Sequence, residues 1–307
     1  TFIVGAYGIN EQLLPNYQAE NPQLQVTRVA PDIEGQNGQF KYSSLGQRTS
    51  NGVFSDVSDI SSSTGNTHFI EGEYRFEQAY YTEVGRIEVD VKDANFLGNA
   101  IASQSTLTLG DFYPAYFQVE LSEPPILADT CSNTFSYLGQ NIGFSVAPEL
   151  TFTAYNALDA KTENYSAAYW NFLPDEAALE ANLSYLDTST FAADNSASVI
   201  DLGDAPLISH NNNYNGSGKV TIMNGHFRYN KVNPNNNNVF APVSPFEANI
   251  TMAFTKEFFS SAFIDQNNNS KTICYQSSYE DDMCLGLNID NVTGTQVRYG
   301  RLTLEST

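Results

Sequence analysis

The chain has 307 residues, 41% of them hydrophobic, enough for two domains with cores of their own. Its 35 acidic against 14 basic residues leave a net charge of −21. That balance argues against nucleic acid and anionic membrane as partners, because phosphate binding needs clustered Lys and Arg.

The polarity comes mostly from uncharged residues, since only 16% of the chain is charged. Asn, Ser, Thr and Gln stand beside 18 Tyr and 20 Phe, a mixture that suits pleated strands separated by turns. No apolar run approaches the roughly 18 residues needed to span a bilayer, so no membrane insertion is expected within this segment.

In chain order, Phe2-Ile3-Val4 opens a strand, with no basic leader ahead of it, and the chain reads as cut from a longer, exported precursor. Residues 23–29 and 86–92 alternate apolar with polar or charged side chains, the mark of strands with one wet face. Residues 116–121, 219–222 and 297–304 do the same, and Asn37-Gly38, Asn51-Gly52, Asn215-Gly216 and Asn224-Gly225 supply turns. Residues 174–183 are the helical exception, with Pro and acidic residues leading a run of good helix formers.

Two echoes suggest a duplication. Ala6-Tyr7 is followed ten residues past Tyr7 by Tyr17 of Asn16-Tyr17, and Ala154-Tyr155 is followed ten residues past Tyr155 by Tyr165 of Asn164-Tyr165. Further on, Gly72-Glu73-Tyr74-Arg75-Phe76 and Gly225-His226-Phe227-Arg228-Tyr229 share Gly-x-aromatic-Arg-aromatic. Glu123-Pro124-Pro125 marks a boundary, because a Pro pair ends a strand and stiffens a linker. The expected fold is therefore all-β: two tandem Ig-like antiparallel β-sandwiches, residues 1–124 and 125–307, with one short helix in the second.

Chemistry-bearing residues are sparse. His68, His210 and His226 lie beside no nucleophile motif, and no pair of carboxylates is singled out in so acidic a chain, so no catalytic residue is assigned and the chain is not read as an enzyme. Calcium is the metal that hard oxygen ligands would favour, and Asp265, Asn267 and Asn269 put oxygens at alternate positions. They lack the Gly and the distal Glu of an EF-hand loop, and no cofactor is otherwise implied. Cys274 and Cys284 would close a short disulfide loop and leave Cys131 odd, although spacing leaves other pairings open. Tyr80-Tyr81, Tyr113, Tyr116, Tyr169 and Trp170 are candidate rings for stacking on sugars, or else core.

Several phrases occur together in one order. They are Gly110-Asp111-Phe112-Tyr113-Pro114-Ala115-Tyr116-Phe117, Cys131 with residues 135–140, residues 150–157, Glu163-Asn164-Tyr165, and Arg298-Tyr299-Gly300-Arg301-Leu302. This series resembles the conserved C-terminal region of MshQ-like proteins of the mannose-sensitive haemagglutinin type IV pilus. Asp111 and Leu138 depart from it, standing where that region usually carries Arg and often carries Met. The resemblance implies a non-enzymatic adhesin or stalk module on the surface of a Gram-negative bacterium. Its partners would be pilus or surface proteins, or surface glycans, and further strands are expected beyond Thr307.

Overall fold

The computed structural model describes residues 2–31, 35–42, 47–49, 55–56, 69–76, 79–131, 134–166, 169–170, 172–191, 200–202, 207–213, 215–223, 226–232, 242–264, 270–281 and 283–300. Among them the chain is all-β in character, with antiparallel strands dominating. Asp175 caps the helix Glu176–Asn182, its carboxylate accepting from the Ala178 N–H at 2.7 Å.

Alternation produces the strands as expected. Along Gly85–Phe96, Ile87 and Val89 are buried while their neighbours Glu88 and Asp90 are not. Along Glu149–Tyr155, Leu150, Phe152 and Ala154 are wholly buried. Each large side chain so buried contributes on the order of 2 kcal/mol by leaving water.

Two layered cores result. In the first, Phe2–Gly5 pairs with Glu73–Phe76, and Pro22–Ala30 pairs with Gly85–Phe96, which pairs in turn with Leu107–Phe112. Phe2, Phe76, Leu24, Val26, Ile87 and Val89 meet between these layers. In the second, a four-stranded sheet runs Tyr116–Glu123, Glu149–Tyr155, Ser217–Met223, Leu207–Asn213. It shares a core with the sheet Leu183–Asp187, Ile250–Phe254, Leu287–Val292. The change of core falls between Phe112 and Tyr116, so the strand Tyr116–Glu123, though ahead of the Pro pair in sequence, is part of the second core in space.

The first echo corresponds to one repeated piece of hydrogen bonding. The N–H of Ala6 donates to Gly72 O at 2.8 Å, and that of Ala154 donates to Gly216 O at 2.9 Å. Leu14 N–H donates to Ala6 O and Thr162 N–H to Ala154 O, each at 2.9 Å. Glu11 and Asp159 both carry positive φ, 57° and 54°, at the same place in the intervening turn. Gly72 and Gly216 follow with φ of 87° and 67°. A Cβ would lie 2.7 Å from Leu14 O at Gly72 and 1.8 Å from Thr162 O at Gly216, so both positions require glycine.

The second echo is not part of this pattern. Phe2 lies opposite Phe76 and Leu150 opposite Val220, which places Ser217-Gly218-Lys219-Val220 where Glu73-Tyr74-Arg75-Phe76 stands. Phe227–Tyr229 pairs instead with Ile200–Leu202. The shared Gly-x-aromatic-Arg-aromatic pattern is thus a likeness of composition, whereas equivalence follows register.

Candidate functional site: the junction between the two cores

Polar side chains gather where the two cores meet. Just before the strand Gly85–Phe96, Val84 is buried in the second core, and three residues later Ile87 is buried in the first. Between these cores Glu83 turns its carboxylate to the backbone of the second unit. It accepts from Asn164 N–H at 3.0 Å and from Glu163 N–H at 3.3 Å. Burial pushes the Glu83 carboxyl above the usual carboxylate range, although the N–H groups of Asn164, Glu163 and Val84 pull it back in part.

Asn164, 2% exposed, makes the complementary reach. Its amide nitrogen donates to Gln36 O at 2.9 Å and Val84 O at 3.3 Å, and its Oδ1 accepts from Gln36 N–H at 2.5 Å. A second asparagine, Asn156, donates to Thr82 O at 2.8 Å while its Oδ1 accepts from Leu158 N–H at 2.8 Å. The junction is therefore held by buried side chain to backbone bonds. A buried polar group left unpaired costs about 1–3 kcal/mol, so these contacts fix one arrangement rather than many.

Within the first unit Asp93 plays a similar part. Burial would raise its carboxyl, but donation from Glu20 N–H, Asn21 N–H, Asn95 N–H and the Tyr17 hydroxyl outweighs this and lowers it. In the second unit, Asp187 Oδ1 accepts from Ser189 N–H at 2.9 Å and the Tyr229 hydroxyl at 3.2 Å, and burial raises its carboxyl.

Asp265, Asn267 and Asn269 lie outside the described residues, as does His68. Among the described residues no group of three or more His, Cys, Asp or Glu comes together as a metal site. Cys274 and Cys284 are joined by a disulfide with Cα atoms 5.5 Å apart, and Cys131 is free. His210 is exposed on the strand Leu207–Asn213 opposite Val220, and His226 is half-buried beside Phe227–Tyr229.

The candidate stacking rings are largely interior. Trp170 is 4% exposed with its indole N–H donating to Phe172 O at 2.7 Å, and Tyr81 and Tyr116 are buried. Tyr113 and Tyr169 are partly buried against the second core, and only Tyr80 of this set stands exposed. Sequence reasoning singled out Asn164 through the Asn-Tyr echo but not Glu83 or Asn156, since nothing local marks a bond to a residue some 80 positions away.

No curated protein and no solved structure matches the chain. The family model described as DUF6701, third domain, matches residues 83–289. Its span starts at Glu83 and takes in three strands of the first unit's sheet with nearly all of the second core, so both sides of the Glu83–Asn164 contact lie inside it. With more than half of its length so matched, the chain belongs to the DUF6701 third-domain family.

Proposed function

We propose that the chain is a non-enzymatic stalk or adhesin module of an exported bacterial surface protein, of the MshQ-like, pilus-associated kind, formed by tandem duplication of an Ig-like sandwich. The observation that carries the reading is the repeated hydrogen-bond pattern around Ala6 and Ala154, joined through a buried, side-chain-bonded junction. A module that holds a distal site away from a cell needs a fixed angle between its units, and the contacts of Glu83, Asn156 and Asn164 supply one. The polar groups that enzymes use for chemistry serve here as structural acceptors: Glu83 and Asp93 are engaged by backbone N–H groups. The ordered series of phrases from Gly110 to Leu302 is what supports the pilus association.

Burial of Trp170, Tyr81 and Tyr116 favours the stalk reading over a carbohydrate-binding one, which keeps Tyr80 as the exposed ring of that set. A glycan-array screen of the purified chain, run with calcium and again with chelator, tests the choice. No selective binding is expected. Selective binding would replace the stalk reading with a lectin one, and its loss on chelation would place calcium in the site. Labelling of intact cells carrying the parent protein with a membrane-impermeant reagent tests the surface location.

A further inference from the structure

The two units differ at one edge. In the second, Glu149–Tyr155 is an interior strand, with Ser217–Met223 on one side and Tyr116–Glu123 on the other. Its counterpart Phe2–Gly5 pairs only with Glu73–Phe76 among the described residues. Ala6 N–H is bonded toward Gly72, so the alternation of an antiparallel ladder turns the N–H and C=O groups of Ile3, Gly5 and Tyr7 to the opposite side, on which no strand pairs among the described residues.

Burial follows the same division. Phe152 and Ala154 are fully buried, whereas Val4 and Ala6, in the equivalent places, are only half-buried. Tyr155 stacks on Tyr116 with ring centroids 5.4 Å apart, while Tyr7 is 60% exposed and Ile3 is 42% exposed. Asp159 takes the Tyr116 hydroxyl at 2.8 Å, and Glu11 occupies the same turn position with its side chain in solvent. The strand that covers the second unit's edge follows the last strand of the first unit, Leu107–Phe112, after only three residues. One module thus completes the sheet of the next.

From this we infer that the edge Phe2–Tyr7 is an acceptor for an extended segment of the Tyr116–Leu121 type, donated antiparallel by another module of the same kind. The occupant carries Tyr-Phe-x-Val-x-Leu alternation. Its tyrosine lies opposite Tyr7 with the hydroxyl on the Glu11 carboxylate, and its leucine lies opposite Phe2. Strand addition of this kind draws affinity from main-chain bonds and specificity from alternate side chains. The inference rests on the tandem-module reading but not on any adhesive role, so a negative glycan array leaves it standing.

The test is titration of the whole chain with a labelled synthetic peptide of residues 113–123, read by fluorescence anisotropy. Saturable binding is expected, weakened at least about tenfold by Ile3→Pro, which removes an outward N–H and leaves the ladder to Glu73–Phe76 intact. Tyr116→Phe in the peptide is expected to weaken binding several-fold, through loss of the Glu11 contact. Circular dichroism confirms that the Ile3→Pro chain is folded. As an independent readout in a Cys131→Ser background, Tyr7→Cys is expected to crosslink to a peptide carrying Tyr116→Cys and not to one carrying Leu121→Cys.

Absence of saturable binding would overturn the inference. So would binding that Ile3→Pro does not alter, because the peptide would then be replacing Tyr116–Glu123 within the second unit. Self-association of the chain that Ile3→Pro abolishes would also overturn it, with a second copy's own edge as the occupant.

Discussion

The two units share a hydrogen-bond frame and fill it differently. In the first, Tyr17 meets Phe69 edge-on at 4.9 Å, and Tyr74 comes from the strand itself to pack on Phe76 at 4.7 Å. In the second, the place of Tyr74 is taken by Gly218, and the ring is supplied from elsewhere: Trp170 lies 4.9 Å from Tyr165. A Cβ at Gly218 would come within 2.4 Å of the Trp170 ring, so the glycine is what admits it. A fixed backbone register thus tolerates moving an aromatic from strand to loop, provided the vacated position shrinks. The second unit also has the larger core, the strand Tyr116–Glu123 and a disulfide.

The largest expected effect breaks the equivalence of Val4 and Phe152. Phe152→Ala removes a wholly buried ring packed on Phe172 at 4.3 Å, and is expected to cost about 3–5 kcal/mol. Val4→Ala at the half-buried counterpart should cost roughly 1 kcal/mol. Urea denaturation can separate the two, because the only tryptophan, Trp170, belongs to the second core while far-ultraviolet circular dichroism follows both. Equal costs would mean that the second unit's extra burial does not translate into stability.

Next comes the disulfide, which closes a loop of ten residues in the second unit only. Replacing Cys274 and Cys284 together by Ser is expected to lower stability by about 2–3 kcal/mol. Trp170 fluorescence should report the earlier transition, with the first unit's midpoint unmoved. Coincident shifts of both probes would show that the junction makes the chain unfold as one body.

Much of this comparison was legible in the sequence, though unevenly. Alternation along residues 86–92 and 116–121 located strands because one buried face imposes a period of two. The Asn-Tyr echo pointed to the repeated frame because the turn between Ala154 and Thr162 needs its backbone bonds whatever the side chains are. The Gly72 and Gly225 echo misled for the opposite reason. The strand in the matching register, Ser217-Gly218-Lys219-Val220, carries no aromatic, and the Trp170 ring fills the space over Gly218. The Pro pair likewise gave no sign that the strand before it pairs with residues 149–155, since strand partnership is non-local. The junction was hidden because a glutamate and an asparagine in an acidic, Asn-rich chain carry no local mark of their partners.

The paired glycines sharpen the comparison at smaller scale. Gly216→Ala places a Cβ against backbone at 1.8 Å with φ at 67°, and is expected to cost at least about 2 kcal/mol. At Gly72 the approach is 2.7 Å, and the cost of alanine should be about 1–2 kcal/mol. Denaturation midpoints of the two variants, read in parallel, check the order. The reverse order would mean that the first unit's turn is the more tightly held.

The smallest effect separates the acidic anchor of the junction from that of the first unit by the sign of its response to pH. Burial raises the Glu83 carboxyl, so the folded chain binds that proton more tightly than the unfolded one. Its contribution to stability is full below the unfolded value, about 4.5, and is lost as pH rises through the folded one. Asp93 runs the other way: its carboxyl is lowered, so its contribution is present above about 3.8 and is lost as pH falls through the folded value. Glu83→Gln is therefore expected to flatten the decline on the alkaline side of pH 4.5 while leaving the loss below pH 3.8 in place. At neutral pH the net change should stay below about 1 kcal/mol, since one carbonyl still accepts from Asn164 N–H while the buried charge is gone. Thermal midpoints recorded from pH 3 to pH 8 for both chains decide it. A Glu83→Gln profile that loses the acid limb instead would place the pH-sensitive contact at the junction and detach Asp93 from the first unit's stability.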